Sequence, residues 1–152
     1  MAYDAAQARA ELLDEVGDAT DDLAAALAAL GAAFEALDDY NAERLEEQLF
    51  RPVQVAYGRA RRTHSEFAGR HGLPNRSFAP AAPGHPSQGV KGFVDGAVSA
   101  VNRADGRLAQ LQDSMRPVEV GDADLRAGLS EVRRLIGDVP RRASELVRGL
   151  GR

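Results

Sequence analysis

The stretch from Leu23 to Leu37, LAAALAALGAAFEAL, contains a single charged residue. Ala and Leu have the highest helix propensities and no β-branched residue interrupts the run, so the stretch predicts a helix. Such a helix is apolar around its circumference, which is typical of burial on more than one face. Apolar residues also recur every three or four positions from Leu12 onward, as they do in helices that pack along a seam. We therefore expect the other segments to pack around this one.

Three later segments repeat this apolar spacing, so the sequence predicts four helices. We place them at residues 5–37, 42–70, 90–115 and 122–150. The sequence DDYN at 38–41 favours a turn after the first helix, with Asn41 as the cap of the second. The alternative is one long helix that bends through this turn and runs from residue 5 to residue 50.

Two prolines lie inside the predicted helices. Proline lacks the backbone N–H and its ring clashes with the preceding turn, so Pro52 should kink the second helix or start it anew. Pro140, together with Gly137, should kink the fourth helix without changing which face is apolar. Asp122 stands just before that helix and is expected to cap it.

Residues 72–89 read GLPNRSFAPAAPGHPSQG and hold four of the seven prolines in the chain. Connections between helices in bundles usually take about 2–8 residues. This longer segment is therefore a crossover between distant helix ends, a functional flap or a disordered linker. Phe78 and His85 stand out in it, because an aromatic ring in a polar loop either packs on the protein or is available to a partner.

Together these features predict an all-α fold, an antiparallel four-helix bundle in which two helical hairpins are joined by the long Pro/Gly-rich loop. The regular seams predict packing like that of a coiled coil. A chain of 152 residues has the usual length of one domain, so we expect a single domain over residues 1–152.

Composition excludes several classes of site. The chain has no cysteine, which excludes disulfides, thiolate metal sites and cysteine nucleophiles. The N-terminus lacks the basic region of a signal peptide, and the uncharged apolar run Leu23–Phe34 is shorter than the roughly 20 residues that span a bilayer. We therefore expect a cytoplasmic protein that does not enter a membrane. The basic residues are all Arg except Lys91, and with the abundant Ala and Gly this suggests a GC-rich bacterial genome.

The net charge of −4 is unevenly distributed. Residues 1–48 contain 13 acidic residues but only Arg9 and Arg44 as basic ones, a net charge of −11, which leaves +7 on the rest of the chain. We expect the later basic helices to pack beside the acidic first helix with their charges interleaved. A basic face for nucleic acid is the alternative. The overall charge disfavours it, because nucleic-acid-binding domains are usually basic overall, so we expect no nucleic-acid partner.

No cofactor or metal site emerges from the motifs. A ferritin-like di-iron site needs a Glu three residues before a His on each of two helices, whereas Arg or Ala stands there before all three histidines. His64 and His71 share a helix face but lack a third ligand for zinc. The sequence GHPSQGVK at 84–91 approaches a phosphate-binding loop, but no Ser or Thr follows the Lys and no predicted strand precedes it.

One short constellation resembles a known family. Residues Arg59 to His64 read RARRTH, an Arg, four residues and a His, which is similar to the signature of HEPN-type helical-bundle ribonucleases. The resemblance implies metal-independent RNA cleavage at a dimer cleft, with His64 as the acid/base catalyst and Arg59 as the phosphate ligand. The residue types suit these roles, because His titrates near neutral pH and Arg binds phosphate in a bidentate manner. In the alternative interpretation, Arg59, Arg61 and Arg62 form a solvated face that pairs with the acidic residues of the first helix.

The leading hypothesis from the sequence is a non-catalytic protein that acts by association, as an adaptor, a scaffold or an accessory subunit, with a protein partner or as a homodimer. Small residues on the outward side of the first helix favour a homodimer packed through that surface, although an alanine-rich composition alone would also produce them. The candidate interaction residues are Ala24, Ala25, Ala28, Ala32 and Phe78. The ribonuclease is one alternative, and a ligand carrier whose interior is covered by residues 72–89 is another.

Overall fold

The computed structural model describes the backbone of residues 2–150 and the side chains of residues 5–85 and 87–150. Residues 1, 151 and 152, which the predicted domain includes, lie outside the described part. Within residues 2–150 all regular structure is helical and no β-strand occurs, which confirms the all-α class. The α-helices are α1 (Ala2–Glu35), α2 (Asp39–Leu45), α3 (Arg51–His71), α4 (Gly89–Asp113), α5 (Arg116–Glu119), α6 (Ala123–Ile136) and α7 (Val139–Leu150).

The predicted apolar seam of the first helix is buried. Seven of its side chains are at most 1% exposed: Leu12, Val16, Ala19, Leu23, Ala26, Leu30 and Ala33. Leu37, the last predicted seam residue, is only partly buried, because it lies in the turn beyond the end of α1. Burial of these aliphatic groups is the main favourable contribution to the stability of a fold of this kind.

The chain breaks after α1, as the DDYN sequence predicts, and a single bent helix through the turn is wrong. The second helix begins at Asp39 rather than at residue 42. Its cap position is Asp38, whose backbone is extended and whose carbonyl accepts from the N–H of Ala42 at 2.8 Å. Asn41 does not cap the helix; its side-chain amide donates to the Asp38 carboxylate at 2.8 Å. The turn is tighter than we expected because the helix starts one residue after Asp38.

The disturbance expected at Pro52 takes the form of a turn of π-helix, Glu46–Phe50, that joins α2 to α3. In this wider turn the N–H of Arg51 donates to the carbonyl of Glu46, five residues back. Proline has no N–H for the carbonyl four residues before it, that of Gln48. A guanidinium N–H of Arg142 in α7 donates to this carbonyl at 3.5 Å. The helix therefore continues from Asp39 to His71, and we call this continuous segment the α2–α3 helix.

The fourth predicted helix is divided into α6 and α7 at Gly137 and Asp138, next to the predicted kink. Its apolar face continues across the break, since Ile136 and Val139 are each 1% exposed. Asp122 caps α6 as predicted: its carboxylate accepts from the N–H of Leu125 at 2.8 Å.

Ion pairs between α1 and the later segments confirm the predicted interleaving of charge. α1 packs most extensively against α4, and α3 packs more against α6 than against α1. In the first of these contacts, Asp22 of α1 accepts from Arg107 at 2.7 Å and from Arg103 at 3.4 Å. Beyond the end of α4, Arg116 lies 3.6 Å from Glu15 of α1. The acidic α1 is thus partly neutralised by the arginines that pack beside it.

None of the helices described combines the length and the apolar character that crossing a bilayer requires.

Candidate functional site

The long connection between α3 and α4, residues 72–88, lies against the helices, and we call it the strap. Gly72 ends α3 in the left-handed conformation (φ 65°), which glycine adopts without steric cost. The N–H of Leu73 then donates to the carbonyl of Ala68 at 2.9 Å, and the chain turns back over α3. From Leu73 to His85 the strap has no regular structure, so its position depends on side chains.

Arg76 attaches the strap to α1. Its guanidinium lies 3.3 Å from the carboxylate of Asp18 and 3.2 Å from that of Asp21, and it donates to the carbonyl of Asp14 at 3.3 Å. These three residues share one face of α1 because helix positions three and four apart are neighbours. Gly17 lies beneath the guanidinium, and a Cβ there would collide with it. The absent side chain therefore makes room for Arg76.

His64 of α3 is covered by the strap. It is 1% exposed, and the ring of Phe78 packs edge-on against the imidazole with the ring centroids 5.2 Å apart. Its Nδ1 atom has no hydrogen-bond partner. Burial lowers the pKa of His64 below its ordinary value of 6.5, with a smaller lowering from Arg76, and Asn75 acts in the opposite direction. Burial therefore favours the neutral form of the imidazole.

The two residues of the ribonuclease signature do not meet in one accessible cleft. His64 lies under the strap, where Phe78 fills the space above the ring. Arg59 points instead towards α6, donating to the Thr63 hydroxyl at 3.0 Å and lining a groove with Glu131. An acid/base catalyst must reach the atom whose proton it exchanges. The geometry therefore gives the ribonuclease hypothesis no support.

Arg61 and Arg62 of α3 are exposed, as the solvated-face interpretation expects, but among the described side chains neither forms an ion pair with α1. In the part of the chain with described side chains, Arg62 lies 3.5 Å from Glu66 one turn on, and Arg61 stacks over the ring of Tyr57 at 5.5 Å from its centroid. The acidic residues Asp18 and Asp21 of α1 are paired with Arg76 of the strap instead.

The end of α3 is joined to the start of α6 by Asp122. Arg70 donates two hydrogen bonds to this carboxylate, both of 2.8 Å, and His71 Nε2 lies 3.0 Å from it. Burial alone would raise the pKa of Asp122, but the hydrogen bonds from Arg70, from the N–H of Leu125 and from His71 lower it well below its usual range. The sequence predicted that Asp122 caps α6. No local pattern indicated that it also pairs with Arg70 and His71, some fifty positions earlier.

The outward surface of the α2–α3 helix borders a groove against α6, which we call the α3–α6 groove. Its apolar lining comes from Val55, Gly58, Ala127 and Leu135, and it encloses about 600 Å³. Arg59, Arg62 and Glu131 stand around it. Val55 is 51% exposed. The groove therefore combines apolar and charged side chains in about equal measure.

The predicted interaction residues are less exposed than the sequence suggests. Ala24 is 6% exposed and belongs to the core, while Ala25, Ala28 and Ala32 are partly buried. Phe78 is also partly buried, because it packs on His64. The carrier hypothesis needs a cavity beneath Phe78, but the imidazole occupies that space. A homodimer through α1 stays a prediction.

Among the residues described, no group of three or more His, Asp or Glu side chains has an arrangement that could hold a metal ion. Comparisons of the chain with protein-family models, curated proteins and solved structures gave no match.

Proposed function

We propose that this protein is a non-catalytic helical scaffold that acts by self-association through the α2–α3 helix and the adjoining α3–α6 groove. The observation that carries the proposal is the groove itself, which is open and combines apolar side chains, among them the exposed Val55, with the charged side chains of Arg59 and Arg62. An apolar centre with a polar rim, in which Arg is enriched, is the usual composition of a protein interface.

For the fold we propose an antiparallel four-helix bundle of two hairpins joined by the strap. The pairs of Arg107 with Asp22 and of Arg116 with Glu15 support opposite directions for α4 and α1. The short turn at Asp38 supports opposite directions for α1 and the α2–α3 helix. Both later helices then run against α1, so the strap is a crossover along the length of the bundle.

The state of the reactive side chains supports a role without catalysis. His64 is covered by the strap, and Arg59 lies apart from it, on the side of α6. General acid/base chemistry requires a titratable group within reach of a substrate, and the covered imidazole of His64 does not meet this requirement in the described geometry.

The test is the solution mass of the protein, measured by light scattering over a concentration series. We expect the wild type to be a dimer and Val55→Asp to weaken dimerisation at least about tenfold, because a carboxylate would be buried at the centre of the interface. Val118→Asp is the matched control, since Val118 in α5 is 56% exposed and lies outside the proposed face. It should leave the mass unchanged.

The variant Ala28→Glu distinguishes between the α1 surface and the α3–α6 groove as the dimer interface. If Ala28→Glu dissociates the dimer while Val55→Asp does not, the α1 surface is the interface and the α3–α6 groove is excluded. A wild type that remains monomeric at every concentration overturns self-association altogether.

A further inference from the structure

The α2–α3 helix changes the sign of its charge along its length. Residues 39–47 carry four acidic side chains and one Arg, whereas residues 51–62 carry four arginines and no acidic side chain. We propose that two copies of the chain pair antiparallel along this helix, with the acidic part of one against the basic part of the other. This inference rests on the proposed self-association and adds its orientation and register.

These charges are available to a second copy because their own chain engages few of them. Across the described side chains, no ion pair involves Glu43, Glu47 or Arg59. Arg62 has an ion pair with Glu66 at 3.5 Å, but the two side chains are 62% and 53% exposed, so water screens their attraction. Acidic side chains three or four positions apart repel one another in the isolated helix. Cations from a second copy would relieve this repulsion.

A two-fold axis close to Pro52 sets the acidic residues 39–47 of one copy against residues 58–66 of the other, which carry three arginines and one Glu. Glu43 and Arg62 lie at nearly equal distances along the helix on either side of that point, so each faces the other across the axis, and the pair forms twice. Glu47 likewise falls opposite Gly58. An added Cβ at Gly58 would have no atom within 4 Å, so the backbone is open to the close approach of a partner helix. A parallel pair would set acid against acid and is disfavoured.

The centre of this arrangement contains the apolar Val55 and a single charged residue of each copy, Arg51. Val55 lies near the axis beside the α3–α6 groove, and the neutral Gln54 falls opposite Arg51. Glu131 lies across the groove from Arg59, but it is already paired with Arg134 at 2.6 Å. It therefore competes only weakly with the acidic residues of a second copy for Arg59. A helix of this span is about 50 Å long at about 1.5 Å per residue, enough for the roughly 800 Å² per partner of a standard interface.

The test is a charge exchange between chains. Glu43→Arg and Arg62→Glu are made separately, and dimerisation is measured by sedimentation velocity at low salt. Each variant alone should dimerise about tenfold more weakly or worse, because like charges then meet twice. An equimolar mixture of the two should recover dimerisation to within about threefold of the wild type. In the mixed dimer the introduced arginine of one chain faces the introduced glutamate of the other, and the native pair remains intact.

Recovery in the mixture cannot arise from folding, because each chain still carries only its own substitution, and circular dichroism checks that both are helical. Glu119→Arg and Arg148→Glu reverse exposed charges in α5 and α7 and should change neither the single nor the mixed samples. If the mixture stays as weak as the separate variants while Val55→Asp still dissociates the wild type, the register is wrong and self-association stands. If Val55→Asp has no effect, the proposed function fails and the register with it.

Discussion

Burial of His64 beneath the strap links its protonation to the stability of the fold. Because burial lowers the pKa of His64 in the folded state, the unfolded chain binds the proton more readily. The stabilisation is therefore complete above the ordinary pKa of about 6.5 and is lost as the pH falls below it. We expect the free energy of unfolding, measured in urea, to fall between pH 7.5 and pH 5.5 by no more than about 1.4 kcal/mol per pH unit from this one proton.

The matched variant is His64→Gln, which removes the titrating group and keeps a polar side chain. Other groups also contribute to the pH dependence of stability, so the informative quantity is the difference in pH dependence between the wild type and His64→Gln. We expect a flatter dependence in the variant, whatever its stability at pH 7.5. Equal slopes in the two proteins would show that His64 is not protonated on unfolding in this range.

At the residue scale, local patterns predicted which apolar side chains are buried, but not that the strap covers His64 completely. The spacing of Leu12, Leu23 and their seam neighbours defines one face of a helix without any tertiary information. The burial of His64 depends on Phe78 arriving from a segment that has no periodicity. The pairing of Arg76 with α1 is equally non-local, and Gly17 gave no sign that it accommodates a guanidinium.

At the scale of the strap, Arg76 is the side chain that binds the segment to α1. We expect Arg76→Ala to release the strap and to increase the rate of chymotrypsin cleavage at Phe78 several-fold, because cleavage needs a locally detached segment. Global stability should change by less than about 1 kcal/mol, since the guanidinium is 30% exposed and its acidic partners are 48–76% exposed.

Arg61→Ala is the control for this prediction, because Arg61 is an exposed arginine nearby that stacks on Tyr57 and contacts neither α1 nor the strap through an ion pair. Its cleavage rate should match that of the wild type. An unchanged rate in Arg76→Ala would mean that Phe78 and Leu73 hold the strap without the ion pairs.

The four long helical segments and their order could be predicted, while the short helix α5 and the exact limits of the helices could not. α2 begins at Asp39 rather than at the predicted residue 42. Asp38 and Asn41 are both good helix caps, so the sequence alone does not decide between them. The sequence signalled a disturbance at Pro52, but the π-turn before it depends on how the helix passes α7, where Arg142 binds the Gln48 carbonyl. The sequence could not show which faces of α1 pack against other helices, because alanines occur around its whole circumference.

In the whole molecule, the most extensive helix contacts join the two halves of the chain across the strap. α1 packs more against α4 than against α3, and α3 packs more against α6 than against α1. The helices of each predicted hairpin therefore pack less against each other than against the helices of the other hairpin. The charge pattern agrees, because the acidic α1 receives Arg103, Arg107 and Arg116 from the second half.

This division of contacts predicts that neither half of the chain folds alone. Cutting the strap between Pro80 and Ala81 gives fragments 1–80 and 81–152. Each should show weak helical circular dichroism and no cooperative thermal transition by itself, because its apolar seams would face water. Mixing them should restore the helical signal and a cooperative transition, since the α1–α4 and α3–α6 contacts form between fragments. A cooperative transition in fragment 1–80 alone would show instead that the α1 and α2–α3 hairpin is stable without its main packing partners.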